Sequence, residues 1–500
     1  MLPFTMPLFR RSAFAMAALL IRLGSADTAD FNIMDFNAVP DGVAYCTEAI
    51  QQAVDKAAAD GAGVVVIPKG RFLTRRIELR SNITLRLSEG AHLLGPPTPQ
   101  EYQGQHYLLW AHDASNITIT GPGTIDGQAI DDPSNAFWTV TKSAGLFYKK
   151  RPETEKAGLF FLFFRNCTNL HFEGFTLQHS PGWSILTESF DHVSFQGLTL
   201  RNSVFGPNTD GLDLVGCSHV SIDHCAITTC DDAIVLKTNP KNMTCEHVRI
   251  SHCQLSSPSY GFKIGTETAG KFDDIELTNS TITAPDARGT RGGVSLQCVD
   301  GGSIEHVTLK DLQLSGARAP IFIRLGARLR YGAKQPGGLR DVLIENLKAT
   351  SPQARDWSSS IAGLPDHPVE NLTLKGIDLT VTGSQSADKA QREVPEEATK
   401  YPDAQMFGDL PSFGFYLRHV KGLKLENVRI TCVKPDARPA LVCDNVAGLV
   451  LDQVQVAPGH GPAVEPAAPM LQSRGSTSTK VTQAKSDDGV FTLTTQASAP

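Results

Sequence analysis

Asn208-Thr209-Asp210-Gly211 is followed 21 residues later by the doublet Asp231-Asp232. Three carboxylates brought together on one rigid surface can hold and move protons. That is the chemistry by which glycosidic bonds are hydrolysed: one carboxylic acid protonates the leaving oxygen while a carboxylate activates water. Crowded carboxylates cannot all ionise cheaply, so one of them is pushed to keep a proton near neutral pH. Spacing alone does not say which one. Two other readings attach to the same residues, a solvated corner or an oxygen cluster that binds calcium.

The elements that must position them are visible as a repeat. Short phrases of one shape recur, among them Asn82-Ile83-Thr84-Leu85, His192-Val193-Ser194-Phe195, His219-Val220-Ser221-Ile222, His247-Val248-Arg249-Ile250 and Asn371-Leu372-Thr373-Leu374. Each is a polar residue followed by apolar-polar-apolar, the period-2 signature of a short strand. The anchors Val193, Val220, Val248 and Ile275 are 27, 28 and 27 residues apart. No crossover helix fits between the phrases, so the repeat predicts an all-β, single-stranded parallel β-helix with one coil per repeat. Residues one coil apart then become neighbours at about 4.8 Å. Alternating apolar residues point into the tube. His192, His219, His247 and His306 read as corner residues that bond locally and stack on their equivalents, not as bases or ligands.

An open tube end exposes apolar side chains and unpaired edges. Residues 46–59, with Ile50, Val54, Ala57 and Ala58 at helical spacing, predict a helical cap at the N-terminal mouth. The β-helix is expected over residues 30–457, and the Pro-, Ser-, Thr- and Gly-rich residues 458–500 as a tail. Residues 383–400 read as an exposed, charged loop. Residues 1–26 read as a signal peptide: Arg10 and Arg11, an apolar run from Ala13 to Ile21, then the small residues Gly24-Ser25-Ala26. That run is too short to span a bilayer. The expected location is therefore secreted or periplasmic, with no membrane attachment after cleavage. Export permits disulfides among the ten cysteines, and stacked buried thiols are an equal reading. Charged content is 20 % and net charge −6, with no basic block, which speaks against a nucleic-acid partner. No cysteine–histidine spacing suits zinc, and no metal or cofactor is expected. The chain is expected to work as a monomer on a polysaccharide or oligosaccharide.

The stretch Phe36-Asn37-Ala38-Val39-Pro40-Asp41-Gly42, then Ala49-Ile50-Gln51 and Val64-Val65-Val66-Ile67-Pro68-Lys69-Gly70, resembles the opening of pectin-degrading β-helix proteins. Asn208-Thr209-Asp210-Gly211-Leu212-Asp213, Cys230-Asp231-Asp232-Ala233 and Gly261-Phe262-Lys263-Ile264-Gly265 resemble successive motifs of glycoside hydrolase family 28, the polygalacturonase family. The resemblance covers roughly residues 30–455. It implies a right-handed coil and an inverting hydrolysis of pectin-type polysaccharide. Asp231 would be the general acid, and Asp210 and Asp232 would hold and deprotonate the water, with carboxylates roughly 6.5–9.5 Å apart. Asn208 would orient a carboxylate or the sugar, and Asp213 would support the site.

The chain departs from the family pattern twice. Ser259-Tyr260-Gly261 stands where the family has Gly-His-Gly, and Ser295-Leu296-Gln297 where it has Arg-Ile-Lys. The second change removes the family's two charge-assisted bonds to the sugar carboxylate. It shifts the expected target towards a branched, rhamnogalacturonan-like chain, with galacturonide bonds close behind. Lys237, Lys263 and Arg324 are the cations proposed to bind substrate instead, with Lys263 also able to pair with Glu267 or an aspartate and Arg324 with an acid. Tyr260 is a candidate sugar contact or a surface tyrosine. Trp138, Trp183 and residues 401–415 are candidate groove walls. A calcium-dependent lyase and a non-catalytic carbohydrate-binding β-helix share the expected fold.

Overall fold

A computed structural model describes residues 29–496 except 103–106, 131–136, 138, 144–145, 151–159, 240–241, 352–356, 384–386, 458, 460–469 and 487–492. The signal-peptide segment and Trp138 lie outside the described residues.

The chain winds as a parallel β-helix in which, among the described residues, 35 strands form one continuous hydrogen-bonded system. The coil register is the one the repeat predicts: Val193 pairs with Val220, Val220 with Val248, and Val248 with Ile275. A single stack of Leu, Ile, Val and Phe fills the tube from end to end. The strand before each corner turns through a residue with positive φ. His192, His219, His247 and His306 have φ of 62°, 53°, 55° and 50°, a region where short polar side chains are enriched. His192 and His219 stack at 4.4 Å between ring centroids, and His219 and His247 at 5.0 Å. These histidines are corner residues, as the sequence indicates.

The helix Thr47–Ala59 buries Ala49, Ile50, Ala53, Val54 and Ala57 against the first coil. All ten cysteines carry thiols and nine are buried. Among them, Cys225 and Cys253 occupy the same position of consecutive coils, so the stacked-thiol reading is the one the structure adopts. The winding continues beyond residue 457: Leu471–Arg474 pairs in parallel with Leu441–Asp444, and Val454–Val456 pairs with Ala484–Ser486. The low-complexity composition hid this extra coil because its alternation is carried by small and polar residues. Among the described residues, no helix is long and apolar enough to cross a membrane.

One sheet of the tube carries the site. Its successive strands are Leu109–His112, Phe160–Arg165, Trp183–Gln196, Leu212–Asp223, Ile234–Thr238, Tyr260–Thr268, Thr290–Cys298 and Ala317–Leu325. Leu212, Leu214, Ile234, Leu236, Phe262 and Ile264 point into the tube, so Asp213, Val235 and Lys263 between them point out.

Candidate active site

Asp210 lies just before the strand Leu212–Asp223, and Asp231 and Asp232 lie just before Ile234–Thr238 one coil later. Their backbones are pinned from both sides. The Ser184 N–H and Oγ–H donate to the Asp210 carbonyl at 2.9 and 2.7 Å. The Thr229 and Ser257 hydroxyls both donate to the Asp231 carbonyl at 2.6 Å. Gly211 is required by close approach, since a Cβ there would stand 2.3 Å from the Ala233 carbonyl oxygen. Winding therefore gathers the three carboxylates, and one oxygen from each lies within 4.8 Å of the others. This is a nearest-oxygen distance, shorter than the separation of the carboxyl groups themselves. The doublet comes from one turn, and the coil step to Asp210 is only one strand spacing.

Burial differs across the cluster. Asp210 and Asp232 are nearly inaccessible, at 4 % and 3 % exposure, while Asp231 is half-buried. Burial, followed by the negative charges of Asp213 and Asp231, holds the Asp210 carboxyl well above the usual carboxylate range, against the pull of Lys237. Burial and then Asp232 raise Asp231 as well, opposed by Lys263. One Asp210 oxygen has no hydrogen-bond partner among the described residues. Burial and crowding thus favour a proton held within the cluster, which a carboxyl can deliver.

Two of the cations considered for substrate binding are partners of acids, and for Lys263 the aspartate pairing is the alternative the sequence left open. Lys263 Nζ donates to Asp232 Oδ2 at 2.8 Å, and Ser259 Oγ donates to Asp232 Oδ1 at 3.0 Å. Lys237 Nζ donates to Asp213 Oδ1 at 2.5 Å and sits 3.7 Å from the centre of the Trp183 ring. Both lysines are buried, and a buried ammonium needs such a partner. Burial lifts Asp213 to about 6 even against Lys237. The serine at the first position of the altered Gly-His-Gly motif thus has a role that the sequence did not reveal.

Two further expectations are corrected. Tyr260 is neither a sugar contact nor a surface residue. It is 2 % exposed, and its hydroxyl accepts from the Ala404 N–H at 2.9 Å. Arg324 is 1 % exposed and donates to the carbonyls of Gly363, Glu396 and Glu397 at 3.0, 2.8 and 3.3 Å. Both belong to one construction. Val394, from the segment expected as an exposed loop, and Ala404, Met406, Phe407 and Leu410, from the candidate groove wall 401–415, fold back and pack with Tyr260, Phe322 and Tyr416. Together they wall off the outer face on the coils that follow the carboxylates.

Asp231 opens on a cleft of about 260 Å³ that is also lined by Asn208, Ser259, Phe205, Arg288 and Arg291 among others. Asn208 is exposed at the rim with φ 54°, a conformation asparagine tolerates. The Arg291 side chain is 47 % exposed and its Nη1 donates to Asp403 at 3.1 Å. Arg288 is bonded to both oxygens of Asp286 and to the Val204 carbonyl. Ser295 and Gln297, at the altered Arg-Ile-Lys positions, are fully buried and bonded to each other at 2.8 Å.

The model of Glycosyl hydrolases family 28 matches residues 60–399. A polygalacturonase of Juniperus ashei is 23 % identical over 366 residues, which cover 71 % of this chain and 69 % of that one. An exopolygalacturonase of Thermotoga maritima superposes with a TM-score of 0.58 at 23 % identity, over 71 % of this chain and 87 % of that one. The family 28 exopolygalacturonase of Yersinia enterocolitica gives 0.60 at 18 % identity, over 91 % and 78 %. Those structures share the right-handed β-helix. With more than half its length matched and the carboxylate triplet assembled by the fold, the chain belongs to glycosyl hydrolase family 28.

Proposed function

We propose that the protein is an exported, monomeric glycosidase that hydrolyses pectin-type polysaccharide, at galacturonide bonds before rhamnogalacturonan-like ones. The observation that carries this reading is the carboxylate triplet, whose Asp231 lines a cleft that Arg291 lines as well. A half-exposed guanidinium beside the acids offers the charge-assisted bond to a sugar carboxylate that the absent Arg-Ile-Lys cannot supply. The relatives named polygalacturonases support the same substrate class.

In the proposed reaction Asp231, the member open to the cleft, protonates the glycosidic oxygen as its bond to the anomeric carbon breaks. Asp210 and Asp232 hold a water on the other side and take its proton as it adds to that carbon. Lys263 and Ser259 keep Asp232 fixed. Lys237 and Asp213 neutralise one another beneath the site and set its field. Proton sharing between Asp210 and Asp231 makes the titration a property of the pair. The competent form carries the proton on Asp231.

A lyase is disfavoured by the Lys263 ammonium on Asp232, which repels a cation from that side of the triplet. Defined oligogalacturonides and rhamnogalacturonan fragments test the proposal by product mass and by NMR of the first anomer formed. Products that together gain one water, with inverted configuration, support it. An unsaturated product absorbing in the ultraviolet refutes hydrolysis, and a retained anomer refutes single displacement.

A further inference from the structure

The corners of the tube need only a short polar residue that tolerates positive φ. Asn82, Asn116 and Asn169 supply it, with φ of 62°, 57° and 54°. Their amides bond up the row, Asn116 to Asn82 at 2.8 Å and Asn169 to Asn116 at 3.0 Å. On the coils that carry the acids the same row changes to His192 and His219. A second corner row carries His224 and His252, with φ of 52° and 51°. An imidazole adds what an amide lacks, a ring nitrogen that binds metal ions.

The coil step stacks each pair. His192 and His219, 27 residues apart, face one another at 4.4 Å between ring centroids, 13° from parallel. His224 and His252, 28 residues apart, do so at 4.7 Å and 22°. One aspartate backs each pair. Nδ1 of His192 and of His219 lies 3.0 and 2.8 Å from Asp191 Oδ1. Nδ1 of His224 and of His252 lies 2.7 and 2.8 Å from the two oxygens of Asp223. One ligand atom from each member of Asp191, His192 and His219 lies within 4.8 Å of the others, and the same holds for Asp223, His224 and His252. An ionised carboxylate only accepts, so in the neutral rings the proton is on Nδ1 and Nε2 keeps its lone pair. Among the described residues, the hydrogen bonds of these four rings run through Nδ1. All four histidines are exposed.

We propose that His192 with His219, and His224 with His252, each bind a divalent transition-metal ion, zinc above all, through Nε2. Asp191 and Asp223 orient the rings from behind, and water completes the coordination. A ring whose Nδ1–H is held by a carboxylate is the arrangement that orients a metal-binding imidazole and raises its basicity. Zinc takes imidazole nitrogens at about 2.0–2.1 Å in a tetrahedron, which spaces two of them by roughly 3.4 Å. Exposed rings stacked at 4.4 and 4.7 Å reach that spacing by a small side-chain rotation. Imidazole selects zinc, copper or nickel over calcium and magnesium, which take oxygen ligands. The corner role uses the backbone and Nδ1, so it is compatible with a ligand on Nε2. Each ion ties one coil to the next. The first joins the strand Trp183–Gln196 to Leu212–Asp223, and the second joins the corner after Leu212–Asp223 to the next coil. These are the coils that bring Asp210 beside Asp231 and Asp232. No local spacing shows such sites, because winding alone brings the ligands together.

The test is calorimetric titration of zinc into the full chain at neutral pH, after dialysis against EDTA. Two zinc ions per chain are expected. His219→Asn and His252→Asn place at each corner the residue that Asn82, Asn116 and Asn169 already supply, so the coils are kept, and circular dichroism checks that they are. Each single variant is expected to lose one ion, and the double variant both. A wild-type chain that binds no zinc overturns the proposal. So does a folded double variant that binds as many ions as the wild type, since the zinc then sits elsewhere, at the carboxylate triplet or a thiol. A single variant that keeps both ions removes its own pair from the proposal.

Discussion

Replacing Asp210 with asparagine should make the protein more stable at neutral pH while it inactivates the enzyme. Asp210 is buried, its neighbours Asp213 and Asp231 are acidic, and one of its oxygens lacks a partner among the described residues. If it ionises, a like charge with an oxygen within 4.8 Å costs on the order of 3.5 kcal/mol at an effective dielectric of about 20, less the attraction of Lys237. If it keeps its proton, folding must hold at pH 7 a proton that the unfolded chain releases near 3.8. That costs at most about 4 kcal/mol, at about 1.36 kcal/mol per unit. Either route leaves roughly 2–3 kcal/mol that a neutral amide relieves. The sign follows from the raised carboxyl. Below pH 3.8 both folded and unfolded chains hold the proton, so variant and wild type differ little. As pH rises towards the folded value, the wild type loses stability and the variant does not. For a chain of this length the expected Tm gap is about 2–3 °C at pH 7, closing near pH 3.5. Scans at matched rates are needed, because large proteins unfold irreversibly. A variant less stable than wild type at pH 7, or a gap equal at both pH values, would refute the electrostatic account.

Other consequences are as direct. Asp231→Asn should lower kcat by about 10² or more, the scale of a lost general acid, with unchanged circular dichroism; full turnover would remove Asp231 from the mechanism. Tyr260→Phe deletes the hydroxyl that accepts from Ala404 and should cost about 1 kcal/mol, seen as faster proteolytic nicking within residues 394–410; unchanged nicking would show that the apolar contacts alone hold the wall. Ile222→Asp places an unpaired charge where Phe195 and Ile250 flank a fully buried side chain. It should destabilise by about 3 kcal/mol or more, and a Tm equal to wild type would contradict the packing.

The coil register, the N-terminal cap and the meeting of Asp210, Asp231 and Asp232 were legible in the sequence, because each follows from a period. Val193, Val220 and Val248 stack since a strand's side chains alternate and each coil repeats the last, and the acids at the strand ends are carried along. The corner histidines were legible for the same reason. What Lys237, Lys263, Tyr260 and Arg324 do was decided only by the tertiary structure. A lysine on an outward position can meet a sugar or an acid. Which it meets depends on how near the neighbouring coil brings a carboxylate and how far water is excluded, and no local pattern encodes that. Tyr260 lies 144 residues from Ala404, and Arg324 meets carbonyls 72 and 73 residues away. Those contacts come from an insertion without the repeat's period, whose path is set by the apolar face and the unpaired donors it covers.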